Sequence, residues 1–412
     1  MKRGGVGRGV ATAVVLGAVA CTPNTHTVTH LASPSPSDRV QTKNLSDYRW
    51  SELPPAPIAG RISAATVWSG AQMLVWAGSD GDDRAPRVLD DGAAYDPATN
   101  EWTKIPPSPL KARAFAAAVW TGSAMFVWGG ATDLAGTGAT SDDGALYDPA
   151  TRRWRMLPRS PLSSRLDMTA YWTGTEVVIF GGHHWPLTAT YRQDFDGAAY
   201  NPQTNRWRTL APIPPPRQGM YFESTAVPIA HGNVFLWRLW DRVVTNGNEQ
   251  TGYQGAEVLN YDLSANRWSF DDLVAKDSPV IRAALFTGTQ IVTSATSPCA
   301  GPHSCPYIAD LHGWSLDLHS RKWVALPHGP VDDSMPTTIW TGAVVLSFNA
   351  PQAQAWDPAT NIVSVLPGPK YVGDQLSTIW TGTQLIEWGS MRLAHPPGND
   401  PAHRYTAGVI FS

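Results

Sequence analysis

One phrase recurs along the chain and constrains its fold more than any other feature. The segment VWTGSAMFVWGG, which begins at Val119, is echoed by VWSGAQMLVWAG from Val67 and by YWTGTEVVIFGG from Tyr171, and four weaker copies follow. The turn glycines of the seven copies are Gly70, Gly122, Gly174, Gly232, Gly288, Gly342 and Gly382. A period of roughly 50 residues indicates one supersecondary unit used repeatedly.

A second phrase lies between the copies of the first. It has the forms GAAYDPATNEW from Gly92, GALYDPATRRW from Gly144 and GAAYNPQTNRW from Gly197. Asp-Pro favours a turn because proline presets φ and the Asp side chain bonds nearby amides, and glycine suits the tight hairpin of the first phrase. We therefore divide each unit into strands A and B around the glycine turn, and strands C and D around the Asp-Pro turn. Repeated four-stranded units predict the blades of a β-propeller.

The two ends of the chain predict how the ring closes. SDYRWSELPPAP, from Ser46, looks like a strand D with no strands A to C before it, and the last unit stops after a strand C in TAGVIFS. Pairing these two segments would remove an exposed sheet edge. We predict an all-β, seven-bladed propeller over residues 46–412, closed by the strand around Trp50. Six blades are the alternative count, because Gly342 and Gly382 lie unusually close together.

The two phrases together resemble the Kelch repeat. That repeat has a Gly-Gly pair after strand B, followed by a spaced Tyr and Trp across the C–D turn. The best matches here are Gly129-Gly130 with Tyr147 and Trp154, and Gly181-Gly182 with Tyr200 and Trp207. Units 4 to 6 lack the double glycine. The resemblance implies the propeller fold and leaves the activity open.

The segment before the propeller predicts export. Lys2, Arg3 and Arg8 precede a short apolar stretch, so residues 1–20 are predicted to be an export signal. Cleavage after Ala20 would be of the ordinary type, but Cys21 at that point also resembles a bacterial lipoprotein box. We predict lipid attachment to Cys21, a Thr/Ser/Pro-rich tether over residues 21–45, and an exported, membrane-anchored protein, with secretion as the alternative.

Composition and cysteine positions narrow the class of partner. The net charge of −3, with 16% charged residues, argues against nucleic acid, which requires a basic surface. Membrane contact is expected through the lipid anchor alone. Cys299 and Cys305 predict a loop disulfide in an oxidising compartment, with a metal site that includes His303 as the alternative. We predict no cofactor and no metal.

Arginines mark the connections between strand D of one unit and strand A of the next. Arg61, Arg113 and Arg165 each lie nine residues before a turn glycine. Arg217 and Arg282 lie in the same connections out of register, and later units offer Asp333 and Asp374 instead. These side chains could form a rim that binds a carboxylate or phosphate ligand. Alternatively, each arginine could pin its loop to carbonyl groups of the next blade, and both interpretations stay open.

The connections between strands B and C differ from one unit to the next, as ligand-specific loops do. Aromatic and polar candidates for ligand contact there are His183, Trp185, Tyr191, Arg192, Trp240 and Arg242. Such residues suit a carbohydrate or a peptide, and the chain lacks the common hydrolase and phosphate-loop motifs. We predict a binding or scaffolding propeller. The alternative is a sugar-carboxylate mutarotase or epimerase, resembling periplasmic sialic-acid mutarotases, with the arginine rim and Asp333, Asp374 or Glu223.

Overall fold

The computed structural model contains strands as its only regular elements within the part of the chain that it describes. That part comprises residues 48–80, 86–134, 139–184, 194–215, 220–228, 233–246, 249–271, 280–296, 311–326, 337–349, 352–372, 376–393 and 405–412. No helix in these ranges has the length and apolar character needed to cross a membrane.

Strands A to D of the first three units form three antiparallel sheets in chain order. Blade 1 contains β2 (Ala65–Trp68), β3 (Met73–Trp76), β4 (Gly92–Asp96) and β5 (Glu101–Lys104). Blade 2 contains β6 (Ala117–Trp120), β7 (Met125–Trp128), β8 (Gly144–Asp148) and β9 (Arg153–Met156). Blade 3 contains β10 (Thr169–Trp172), β11 (Val177–Phe180), β12 (Gly197–Asn201) and β13 (Arg206–Leu210).

The next three sheets repeat this order with longer strands. Blade 4 contains β14 (Met220–Pro228), β15 (Val234–Asn246), β16 (Glu249–Asp262) and β17 (Arg267–Asp271). Blade 5 contains β18 (Val280–Phe286), β19 (Gln290–Thr296), β20 (Leu311–Asp317) and β21 (Lys322–Ala325). Blade 6 contains β22 (Thr337–Trp340), β23 (Val345–Asn349), β24 (Gln352–Asp357) and β25 (Ile362–Pro367).

Blade 7 joins the two ends of the chain. It contains β27 (Ser377–Trp380), β28 (Leu385–Leu393), β29 (Tyr405–Phe411) and β1 (Trp50–Glu52), and β26 (Tyr371–Val372) pairs with the far end of β28. The pairing of β1 with β29 places Trp50 opposite Phe411. The prediction of seven blades closed by the N-terminal strand is confirmed, and the six-blade alternative is wrong.

The core lies between neighbouring blades. All four residues of each strand B in blades 1 to 3 are buried, whereas strand D is mostly exposed. The strand D tryptophans pack there and bond to the preceding blade: the indole N–H of Trp102 donates to Pro54 O (3.1 Å) and that of Trp154 to Pro106 O (3.0 Å). Gly130, at φ +98°, follows strand B where an added Cβ would lie 2.7 Å from Ala114 O. That close approach explains the double glycine.

Strand A of each blade lines the centre of the ring. β2 contacts both β6 and β27, β6 contacts β10, and β14 and β22 both contact β18. In addition, the amide of Phe115 donates to Ser63 O (3.0 Å) and that of Asp167 to Phe115 O (3.3 Å). These three residues come just before strand A of blades 1, 2 and 3. Their backbones therefore form a continuous chain of contacts along the inner rim.

Blade 4 differs from the others in the length of its central hairpin. β15 and β16 pair without interruption from Val234–Tyr261 to Asn246–Glu249, although β17 pairs only as far as Val258. The prediction that Trp240 and Arg242 lie in a B–C loop is wrong, because the hydrogen-bond ladder continues through both positions. Residues 238–246 and 249–257, which we call the blade 4 arm, extend roughly 30 Å beyond the end of β17 at about 3.3 Å per residue.

Candidate functional site

Three arginines on the inner rim are completely buried and bonded to their own blade. The side chains of Arg61, Arg113 and Arg165 are 0% exposed. For Arg113, Nη1 donates to Gly129 O (3.0 Å) and Nε donates to Lys111 O (3.0 Å). The other two arginines make the corresponding bonds in blades 1 and 3. Their guanidinium groups are therefore used to fix the protein backbone.

The main chain of the same arginines bonds to the preceding blade. The carbonyl of Arg113 accepts from Gly78 N (2.8 Å), that of Arg165 from Gly130 N (2.8 Å) and that of Arg61 from Ser390 N (3.0 Å). Each arginine thus joins two blades, with its backbone on one and its side chain on the next. We call this arrangement the arginine clip. It matches the loop-pinning interpretation of these residues.

Each clip holds at least one rim carboxylate. Arg61 Nη1 lies 2.8 Å from Asp91 Oδ1, Arg113 Nη1 lies 2.8 Å from Asp143 Oδ1, and Arg165 Nη1 lies 2.5 Å from Asp196 Oδ1. These Asp side chains are 53%, 41% and 49% exposed. Burial opposes the ionisation of Asp143, but hydrogen bonds from Ser141 and Arg113 hold its pKa below the usual range. The rim therefore presents carboxylates to solvent, and the arginines lie behind them.

Hydrogen bonds identify which positions correspond between blades. Ser79, Ala131 and His183 pair with Ile62, Ala114 and Leu166 just after strand B. In the same way, the amides of Leu89, Ser141 and Asp194 donate to Gly78, Gly130 and Gly182. Blade 3 therefore carries His183 and Asp194 where blades 1 and 2 have neutral residues. It also carries Asp167 two residues after its clip arginine, where the other blades have Ser63 and Phe115.

Two histidines of blade 3 each lie beside an Asp carboxylate. His183 Nε2 lies 3.6 Å from Asp167 Oδ2, and we call these residues the Asp167–His183 pair. His184 Nε2 lies 3.2 Å from Asp194 Oδ2, which is also 3.4 Å from Arg165 Nε. Burial raises the pKa of Asp167 to about 7. Burial, with a smaller contribution from His184, lowers the pKa of His183 to about 4.

The structure describes some of the predicted site residues and not others. Arg61, Arg113, Arg165 and His183 come together on the inner rim of blades 1 to 3, and all four are buried. Asp167 was missed from the sequence, although its register with Ser63 and Phe115 was a usable signal. The structure gives only strand positions for three residues, which are Trp240 and Arg242 in β15 and Arg282 in β18.

Several predictions fall outside the described residues. They concern the export signal and tether, and the positions Cys21, Trp185, Tyr191, Arg192, Arg217, Cys299, Cys305, Asp333 and Asp374. Within the described ranges, no group of three or more His, Cys, Asp or Glu side chains is arranged to hold a metal ion.

Comparison with known proteins connects this geometry to a repeat family. A family model described as the KLHDC2/KLHL20/DRC7 Kelch-repeats domain matches residues 33–237, about half of the chain. The chain is 23% identical over 312 residues to Kelch-like protein terF of Aspergillus terreus, covering 72% of this chain and 64% of that protein. It is 29% identical over 189 residues to a putative F-box/kelch-repeat protein of Arabidopsis thaliana, covering 43% and 53%.

A third relative comes from an animal. Kelch-like protein 25 of Xenopus tropicalis is 26% identical over 197 residues, covering 46% of this chain and 30% of that protein. The matches thus span between about a third and two thirds of these relatives' own lengths. Together with the seven four-stranded blades and the glycine pairs after strand B, they establish the architecture. The chain is a seven-bladed β-propeller of the Kelch-repeat type.

Proposed function

We propose that this protein is a binding scaffold for a polypeptide ligand and that the blade 4 arm is its main contact surface. Kelch propellers are typically protein-binding scaffolds. The observation that carries the proposal is the arm, whose strands β15 and β16 have 13 and 14 residues, whereas strands B and C of blades 1 to 3 have four or five. A rigid ring that displays a long element is suited to recognition.

The residue types on the arm favour a polypeptide over a carbohydrate. The arm carries Arg238, Trp240 and Arg242 in β15, and Tyr253 in β16 is the register partner of Arg242. Trp, Tyr and Arg are the residues that dominate binding energy at protein interfaces. A carbohydrate ligand remains the alternative outcome of the test.

The mutarotase alternative has less support. Such an enzyme needs a cationic side chain that is available to hold the sugar carboxylate. The three clip arginines are fully buried, and each is already paired with an Asp carboxylate. The geometry therefore favours binding over catalysis.

A shortened arm tests the binding function. We would replace residues 239–256 by Asn-Gly, which keeps the pairing of Arg238 with Glu257 and the buried part of blade 4. Peptides selected from a display library on the full protein should lose at least tenfold in affinity for the shortened protein, while Tm should stay nearly unchanged. Equal peptide binding by both proteins, or selective binding to a glycan array alone, would reject the proposal.

We further propose that the protein acts outside the cytoplasm and is anchored through Cys21. The basic N-terminal residues, the short apolar stretch after them and Cys21 at the expected cleavage point support this location. Mass spectrometry of the mature N-terminus should find a diacylglyceryl-modified Cys21. An unmodified N-terminus at or beside Cys21 would indicate secretion instead.

A further inference from the structure

We propose that the Asp167–His183 pair is a binding site for a lysine ammonium group that enters the ring at its inner rim. The proposal rests on the proposed polypeptide function, because the lysine would belong to the polypeptide ligand. It concerns blade 3, however, and not the blade 4 arm. The lysine site in blade 3 and the binding function of the blade 4 arm can therefore be tested separately.

The fold does not require a carboxylate at position 167. The same position of the repeat is filled by Ser63 in blade 1 and by Phe115 in blade 2. All three residues have the same positive φ and lie in the same chain of backbone contacts. Asp167 is therefore a departure from a repeated structural position, and such departures are where a repeat protein can carry specific chemistry.

No arginine or lysine among the described residues pairs with Asp167, unlike the other aspartates of the inner rim. Asp91, Asp143, Asp194 and Asp196 each lie within 3.4 Å of a clip arginine. The side chain of Asp167 is 19% exposed, and its nearest charged or titratable contact among the described residues is His183 Nε2 at 3.6 Å. Burial lowers the pKa of His183 to about 4, so that imidazole is neutral near pH 7. A cationic group from a ligand would supply the missing partner.

The shape of the site favours ammonium over guanidinium. Guanidinium pairs best with both oxygens of an open carboxylate, through its planar fork. Asp167 is largely buried and its Oδ2 lies beside the His183 ring, which leaves little room for a planar fork. An ammonium group is compact, sits at the end of a slim four-carbon stem and needs one carboxylate oxygen.

A capped lysine tests the site directly. Nα-acetyl-lysine N-methylamide would be titrated into the full-length protein while the His183 ring signals are followed by NMR, after their assignment with His183→Asn. Ionisation of Asp167, whose pKa is about 7, should strengthen binding about tenfold between pH 6 and pH 8. The lysine stays charged over this range. Capped norleucine, which has a similar stem and no charge, should cause no saturable shift.

Two matched variants separate the site from the general charge of the rim. Asp167→Asn should abolish the saturable shift, whereas Asp142→Asn, which removes an exposed carboxylate of blade 2, should leave the Kd within about twofold. Equal loss in both variants, equal binding of capped norleucine, or tighter binding of capped arginine would overturn the proposal. The shortened-arm protein should bind capped lysine normally, so failure here is distinguishable from failure of the proposed function.

Discussion

At the scale of single residues, the Asp167–His183 pair has an unusual relation to pH. Burial raises the pKa of Asp167 to about 7 and lowers that of His183 to about 4. Between these values the folded pair holds one proton, on Asp167. The unfolded chain also holds one proton between about pH 4 and pH 6.5, on the histidine. The pair therefore adds little pH dependence to folding stability in this range.

Single substitutions should expose the two opposing contributions. In Asp167→Asn, the free energy of unfolding should fall as the pH drops from about 6.5 to about 4, because the unfolded histidine gains a proton that buried His183 resists. In His183→Asn, it should fall as the pH rises from about 4 to about 7, because the unfolded Asp ionises first. Each change should reach at most about 3 to 4 kcal/mol.

Denaturant titrations at four pH values between 4.5 and 7.5 measure this difference. The double variant, which lacks both groups, serves as the reference for all other titrating residues. Profiles of the single variants that run parallel to the double variant would show that neither group is held in its uncharged form.

A second residue-scale feature concerns an unsatisfied donor in two of the clips. Arg165 Nη2 donates to Ser163 Oγ (2.7 Å), but the equivalent residues in blades 1 and 2 are Ala59 and Lys111. Accordingly, Nη2 of Arg61 and of Arg113 is buried without a hydrogen-bond partner. Burial lowers the pKa of Arg61, despite the bond to Asp91. A buried donor without a partner costs stability.

Ala59→Ser should supply the missing acceptor. Residue 59 is exposed, so a hydroxyl group has room. We expect a gain of about 1 kcal/mol in the free energy of unfolding, because the hydroxyl would bond to the guanidinium of Arg61. Ser163→Ala should lose a similar amount from the intact clip. Denaturant unfolding measures both, and an unchanged or lower stability in Ala59→Ser would contradict the assignment.

At the scale of elements, the arginine clips connect blades through both backbone and side chain. Arg113→Lys keeps the charge but loses the planar group whose Nε donates to Lys111 O while its Nη1 donates to Gly129 O. We expect a cost of about 1 to 3 kcal/mol, because buried carbonyl groups lose their donors.

Arg87→Lys is the matched control for that change. Arg87 is 79% exposed and pairs with Asp80 on the surface, so the same substitution should change stability by less than about 0.5 kcal/mol. Thermal melts of both variants make the comparison. Equal effects in the two variants would mean that the clip contributes nothing beyond a surface ion pair.

At the scale of the whole molecule, the ring was predictable because its determinants are local and repeated. The turn glycines, the Asp-Pro turns and the strand D tryptophans each act within one blade or on an adjacent blade. The lone strand around Trp50 predicted closure, because an unpaired strand D at one end matched a missing one at the other. The period therefore carried most of the information about the fold.

The candidate functional residues were harder to predict from the sequence than the ring, and the reasons are physical. The sequence left two interpretations of Arg113, because the acceptors of a guanidinium depend on which blade edge it meets. The blade 4 arm was predicted as a loop, although Asn246-Gly247 is a hairpin signal that could have revealed it. Asp167 was missed because its burial and its missing cation are set by neighbouring strands and not by adjacent residues.

Removal of β1 tests the closure of the ring. A chain that begins at residue 54 lacks the partner of β29, whereas one that begins at residue 46 keeps it. The shorter chain should melt at a lower temperature and self-associate, because the exposed edge of β29 can pair with another copy. Calorimetry and light scattering measure these effects. A monomeric shorter chain with an unchanged melting temperature would contradict the closing role of β1.

The seam in blade 7 also has a consequence for how the molecule bears mechanical load. Tension applied to the chain ahead of Tyr48 reaches β1 first. Three residue pairs with β29, the ion pair of Glu52 with Lys370 and the ring contacts of Trp50 hold that strand. Blades 1 to 3 instead follow one another in an uninterrupted stretch of the chain, and arginine clips and strand D tryptophans join each of them to the blade before it. Under a pull on its N-terminal segment, we therefore expect the ring to open at the seam while these blades remain folded.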